Sequence, residues 1–128
     1  MIDHSAVSVS NGKRSRKFYE AALAPLGYKI LMEVPVEFTG GALVFGMGVP
    51  PKPDFWVNEG TPQKPHVHVA FVAPNRAAVD AFYNAAIAAG GTDNGPPGLR
   101  PHYHQHYYGA FVKDFDGHNI EACVHTPE

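Results

Sequence analysis

The chain has a single cysteine, Cys123, and a single tryptophan, Trp56. One thiol cannot build a disulfide framework, so the fold must rest on packing, and a reducing compartment suits it. No run of apolar residues is long enough to cross a bilayer, and no charged-then-apolar leader opens the chain. Both absences point to a soluble, cytoplasmic protein with no membrane partner. Charge is also sparse, with 10 basic and 12 acidic residues and a net charge of -2. Without a basic run there is no electrostatic footprint for nucleic acid, and a small molecule is the expected partner. At 128 residues and 45% hydrophobic content, one compact core is expected.

Histidine is in excess. There are 8, and His66, His68, His102, His104 and His106 crowd the second half. The stretch Asp114 to Val124 places a tight-turn pair, Asp116-Gly117, before an alternating run. Ile120, Ala122 and Val124 then share one strand face, while Asn119, Glu121 and Cys123 share the other. A carboxylate on a sheet face, in a chain that puts histidines at matching places on two other strands, makes Glu121 the candidate metal anchor.

The first half reads as β-α-β-β-β. Ile2 to Val9 alternates, with Val7 and Val9 on one face and His4 on the other. Ser10-Asn11-Gly12 supplies capping chemistry, and Phe18, Tyr19, Ala22, Leu23 and Leu26 then follow helical spacing up to Pro25-Gly27. Tyr28 to Val36, Gly41 to Phe45 and Asp54 to Val57 read as strands, the last after a Pro-rich turn. The second half starts over. Shifting His4–Tyr28 by 64 residues onto His68–Thr92 gives nine identities in 25 positions, among them His4/His68, Asn11/Asn75, Phe18/Phe82 and Gly27/Gly91. Chance would give roughly two, so an internal duplication is read. Its modules are 1–61 and 66–126, joined by the short linker Pro62 to Pro65. In module two the Gly- and Pro-rich stretch 92–100 reads as a loop able to cover a cleft, and Ala110 to Val112 as a strand.

The duplication implies an α+β fold in which two tandem βαβββ modules form a curved mixed sheet around a cleft. The helices lie on the outer faces. His4, His68 and Glu121 all fall on helix-free faces and so point into that cleft, which either lies within one chain or is formed by halves swapped between two. His66, two residues before His68, is a candidate substrate-binding group or alternative ligand, or a plain strand-edge histidine. Two imidazoles and a carboxylate leave a divalent ion with open positions, as catalytic sites require. Mn, Fe(II), Ni and Zn all suit this set. The alternative is that the three side chains simply hydrogen-bond one another. Trp56, Tyr103, Tyr107 and Tyr108 could wall a substrate, Arg100 could bind an anionic one, and His102 and His104 could border the cavity mouth. Each has a plain packing or solvated alternative. Cys123 has no base near it in sequence and reads as a buried inert thiol.

Four segments, His4-Ser-Ala-Val-Ser-Val, Arg16-Lys-Phe-Tyr-Glu, His68-Val-Ala-Phe and Ala110-Phe-Val-Lys-Asp-Phe-Asp-Gly-His-Asn-Ile-Glu121, resemble the vicinal oxygen chelate superfamily. That family includes glyoxalase I, fosfomycin-resistance proteins, extradiol dioxygenases and bleomycin-resistance proteins. The resemblance spans nearly the whole chain and implies metal ligation by His4, His68 and Glu121, with Glu121 also catalytic, and assembly as a homodimer. Glyoxalase I adds a glutamate from the last strand of its first module. Trp56 stands in that slot here, a departure from glyoxalase I chemistry. Three functions are open: a metal-dependent lyase, isomerase or transferase acting on a vicinal-oxygen substrate, a metal-free sequestering protein, and an Fe(II) dioxygenase.

Overall fold

Asn11 and Asn75, one repeat apart, each start a helix. Asn11 Oδ1 accepts the Arg14 N–H at 3.1 Å and Asn75 Oδ1 accepts the Ala78 N–H at 2.8 Å, satisfying one orphan donor of the first turn in each case. The computed structural model describes all 128 residues, and these caps open α1 (Gly12–Leu23) and α2 (Arg76–Ala88). α1 tightens into a 3-10 turn at Ala24–Leu26 and stops at Gly27, whose φ of 86° is left-handed and costs a glycine little.

Around the helices stand eight strands: β1 (Ser5–Val9), β2 (Lys29–Glu33), β3 (Val44–Gly48), β4 (Phe55–Glu59), β5 (His68–Val72), β6 (Thr92–Leu99), β7 (Tyr108–Lys113) and β8 (Asn119–Val124). They form two four-stranded sheets of matching order, β1-β4-β3-β2 and β5-β8-β7-β6. The outer pairs β1/β4 and β5/β8 are parallel and the rest antiparallel. The fold is therefore α+β, with two tandem βαβββ modules. The register also relates the modules side chain by side chain. Ala6 pairs with Trp56 and Ala70 with Glu121, so Trp56 occupies in module one the place that Glu121 holds in module two.

Stretch 92–100, read as a loop, is largely strand β6. Its prolines are tolerated because β6 is a sheet edge, and Pro96 and Pro97 fall in the register shift between Gly95 and Gly98, where no ladder bond is required. Strand bounds elsewhere move by one to three residues; β3, for example, starts at Val44 rather than Gly41.

Within one chain the modules meet through their helix-covered sides. α1 and α2 pack on each other, and the helix-covered faces of both sheets feed one core of 21 buried residues. Phe18 of α1 meets Phe115 beyond β7 at 5.9 Å between ring centroids, and Phe55 of β4 meets Phe71 of β5 at 5.0 Å. A unit of module size buries only a modest fraction of its surface, and sharing one interior raises that fraction. The uncovered face of β5, with His68, Ala70 and Val72, is consequently exposed rather than closed over by module one.

The junction is pinned by the Asp114–His118 turn. Buried Asp114 accepts the Tyr19 hydroxyl at 2.5 Å and the backbone N–H groups of Asp116 and His118, both at 2.9 Å. His118 is 0% exposed and bridges the modules. Its Nδ1 accepts the Val67 N–H at 3.1 Å and its Nε2–H donates to the Ser8 carbonyl at 2.9 Å, which fixes the tautomer. Ser10 adds a hydroxyl bond to Asp116 at 2.6 Å.

Candidate functional site

The uncovered face of the second sheet gathers the ionisable side chains. His68 enters from β5 and Glu121 from β8, and His68 Nε2 lies 2.8 Å from Glu121 Oε1. Glu121 is only 1% exposed, whereas the His68 side chain is 52% exposed. The second carboxylate oxygen accepts the Tyr107 hydroxyl. Gly109 makes room for that bond: a Cβ there would sit 3.0 Å from the Tyr107 ring and 3.3 Å from Glu121 Oε2. Phe111, directly opposite Glu121 on β7, floors the face, with its ring 6.2 Å from that of His68. A buried carboxylate is costly unless its oxygens are partnered, and here a half-open imidazole supplies one of the partners.

Polar neighbours are tuned by this burial. Desolvation, reinforced by the hydrogen bond to Glu121, pushes the Tyr107 phenol well above its ordinary range, so it stays a donor. Burial likewise raises the Cys123 thiol, against a lowering from Tyr107. The thiol stays protonated and a weak nucleophile, although His125 Nε2 lies 3.6 Å from its sulfur.

The other predicted residues scatter. His4 lies just before β1, exposed, with Nδ1 2.6 Å from Asp3 Oδ1. Asp3 in turn takes Lys52 Nζ at 2.8 Å, and the lysine bond, then the histidine bond, hold its carboxyl below the usual range. His4 and His68 both border a groove of about 450 Å³ between the edge strands β1 and β5, but Glu121 does not line it. No three His, Cys, Asp or Glu side chains converge closely enough to hold a metal ion, so the convergence of all three ligands in one cavity is not met within one chain. The shared core explains this, because it keeps the two uncovered faces from closing on each other.

His66 leaves the face of His68 and lies against the Gly117 turn, where a Cβ would be 2.9 Å from its ring. Tyr108 turns the other way from Tyr107, towards α2, and donates to Asp80 Oδ1 at 2.6 Å. Strand alternation puts Tyr108 with Ala110 and Val112 on the covered side, which removes it from the substrate wall. Trp56 does lie on an uncovered face, that of module one, close against Gly46, where a Cβ would be 2.9 Å from the indole. His102 packs on Tyr103 at 4.4 Å, and His104 on Tyr107 at 5.1 Å and His125 at 4.5 Å, extending an exposed aromatic rim beside Glu121. Sequence patterning does not mark Phe111 or Asn94, while the alternation that selects Glu121 also selects Asn119.

The donor chemistry of His68 and Glu121 fits a divalent cation as two of its ligands: an imidazole nitrogen and a carboxylate, already adjacent, with the imidazole open to solvent. Paired βαβββ modules of this topology define a class of fold. Residues 1–122 match the model of the Glyoxalase/Bleomycin resistance protein/Dioxygenase superfamily, and the chain belongs to it. Among solved structures, a glyoxalase/bleomycin resistance protein from Albidiferax ferrireducens is 31% identical, with 98% of each chain covered and a TM-score of 0.70. A mutant of the fosfomycin resistance protein FosX from Listeria monocytogenes, solved with Mn(II) and 1S,2S-dihydroxypropylphosphonic acid, is 16% identical over 98% of this chain and 90% of its own, with a TM-score of 0.70. A glyoxalase I mutant from Zea mays is 18% identical over 95% of this chain and 43% of its own, again at 0.70. At that identity the last two share the fold alone. No curated protein matches.

Proposed function

We propose that the protein is a divalent-metal-dependent enzyme of lyase, isomerase or transferase type, acting on a small substrate with vicinal oxygens on the uncovered face of the second sheet. The observation that carries this reading is the His68–Glu121 pair, an almost fully buried carboxylate 2.8 Å from a half-exposed imidazole. His68 and Glu121 would hold the ion, with His4 as the third ligand. Because His4 does not join the pair in one chain, we assign it to a second copy, in a homodimer where module one of one chain covers module two of the other. The open edges of β1 and β5 and the exposed face of β5 favour such a partner. Mn, Fe, Ni and Zn all suit the set. When bound, the ion supplies Lewis acidity to paired substrate oxygens. Tyr107 orients the carboxylate, Phe111 supplies an apolar floor, and Glu121 is the group placed to exchange a proton with substrate.

The test is metal content. Purified protein grown with supplemented metals should carry about one divalent ion per chain, and His4→Ala, His68→Ala and Glu121→Gln should each lose it. Mixing the His4→Ala and His68→Ala chains should restore part of the uptake, since one mixed site has all three ligands. No stoichiometric ion in the parent protein would overturn the metal reading. It would favour the second one, a metal-free protein that sequesters an aromatic ligand, for which the rim of Tyr103, Tyr107, His104 and His125 is the supporting observation.

A further inference from the structure

We infer that the cavity on the far side of Phe111 is an anion subsite, built to hold the carboxylate or phosphate group of a small organic acid whose other end reaches His68 and Glu121. This rests on the reading above that the uncovered face of the second sheet is the substrate site. The cavity measures about 230 Å³ and is lined by Asn94, Gly95, Arg100, Tyr103, Phe111 and Asn119.

Arg100 is its only charged group. It takes part in none of the five ion pairs of the chain, so its charge has no acidic partner within 4.0 Å. Its two hydrogen bonds go to backbone carbonyls instead: Nη2 donates to Pro96 at 2.6 Å and Nη1, weakly, to Leu99 at 3.5 Å. A guanidinium has five N–H donors, so at least three remain unspent. The backbone is shaped to hold the head in place. Both register shifts of β6 fall beside it, at Asp93/Gly95 and Gly95/Gly98, and bulges of this kind re-aim side chains next to sites. A Cβ at Gly95 would lie 3.3 Å from Nη2 and one at Gly98 3.1 Å from Nη1, so side chains there would crowd the fork.

The surroundings select a ligand class. Asn94 Nδ2 donates to Asn119 Oδ1 at 3.2 Å, which leaves amide N–H groups of both residues to join the guanidinium around an oxyanion. The guanidinium carbon lies 5.6 Å from the Phe111 ring centre and that centre 6.2 Å from the His68 ring, so anion head and metal-ligand pair are under about 12 Å apart. A molecule of one ring or a short chain spans that distance. Its apolar body would lie on Phe111 and against Tyr103, with the acid at one end and the vicinal oxygens at the other.

Benzoate, phenyl phosphate and neutral benzyl alcohol, added to metal-free homogeneous protein, provide the test by amide and side-chain NMR titration. Benzoate or phenyl phosphate should bind and shift Arg100, Asn94 and Asn119, with benzyl alcohol at least tenfold weaker. Whichever acid binds more tightly identifies the head group. Arg100→Ala should weaken that acid at least tenfold, Arg100→Lys should recover part of the loss, and Asn94→Asp should weaken it by setting a negative charge beside the fork. Divalent-metal uptake at His68 and Glu121 should be the same in Arg100→Ala as in the parent. Equal binding of the acids and the alcohol, or acid affinity unchanged by both Arg100→Ala and Asn94→Asp, would overturn the subsite even if the metal site is found. Arg100-dependent acid binding in a protein that takes up no metal would uphold the subsite and remove the metal reading alone.

Discussion

Replacing His118 should destabilise the whole molecule at the junction of its two halves, and the cost can be worked from its bonds. His118→Leu keeps much of the buried volume but deletes an acceptor for the Val67 N–H and a donor for the Ser8 carbonyl, bonds of 3.1 and 2.9 Å. An inward-facing backbone group left without a partner costs about 1–3 kcal/mol, so losing both should cost about 3–4 kcal/mol. At this chain length that lowers the melting temperature by roughly 10–15 °C. Urea unfolding is the assay, followed by Trp56 fluorescence and by far-ultraviolet circular dichroism. Trp56 belongs to β4 of module one, so its fluorescence reports that module, while the dichroism reports both. In the parent the two transitions should coincide, and in His118→Leu they should fall to lower urea together, because the modules share one core and unfold as one unit. His118→Asn, which can keep the Val67 bond, and His118→Gln, which can keep the Ser8 bond, should each recover about half. A loss under about 1 kcal/mol in His118→Leu, or transitions that separate, would refute this account of the junction.

Asn11→Ala and Asn75→Ala should each cost about 1 kcal/mol, and nearly the sum together, because each removes one cap from a different helix; differential scanning calorimetry of the two single variants and the double checks this. Glu59 accepts the N–H groups of Gly12 at 2.7 Å and Leu43 at 3.1 Å, and these bonds hold its carboxyl below the usual glutamate range. A pKa lowered by folding contributes stability that is present above the ordinary glutamate range and lost as pH falls through the lowered value. Urea midpoints measured from about pH 7 down to pH 3 should therefore fall less steeply for Glu59→Gln than for the parent.

Most of the fold is legible in the sequence because duplication and alternation are local signals. Asn11 and Asn75 announce both helices, and the alternation of Ile120, Ala122 and Val124 puts Glu121 on the correct face of β8. β6 was hidden because its glycines and prolines signal a loop, and only edge position with two register shifts lets such a segment pair. The relative placement of the modules was hidden for a deeper reason. Each amphipathic helix tells which face of its own sheet it covers, and nothing in that pattern tells whether the helices of two modules turn outward or share a core. Phe18 and Tyr19 satisfy the same spacing either way, and only their contacts with Phe115 and Asp114 decide it. The pattern that puts His4 on the same kind of face as Glu121 holds equally for a cleft within one chain and for one shared by two chains that swap halves.

Glu121 has a direct counterpart in module one. The two sheets have the same strand order, and the position across from Ala6 in one and Ala70 in the other holds Trp56 and Glu121 respectively. The indole lies over Gly46, while the carboxylate lies across from Phe111 and is held by His68 and Tyr107. Module one shows that this architecture folds with an apolar ring at that position, so packing does not require an acid there. A buried carboxylate costs desolvation energy that an apolar side chain would not. Module two carries that cost and surrounds the acid with an imidazole open to solvent and a phenol kept protonated by burial. This asymmetry between two otherwise matching modules favours the second sheet as the place of the proposed chemistry, since Trp56 fills the equivalent position of module one with an apolar ring.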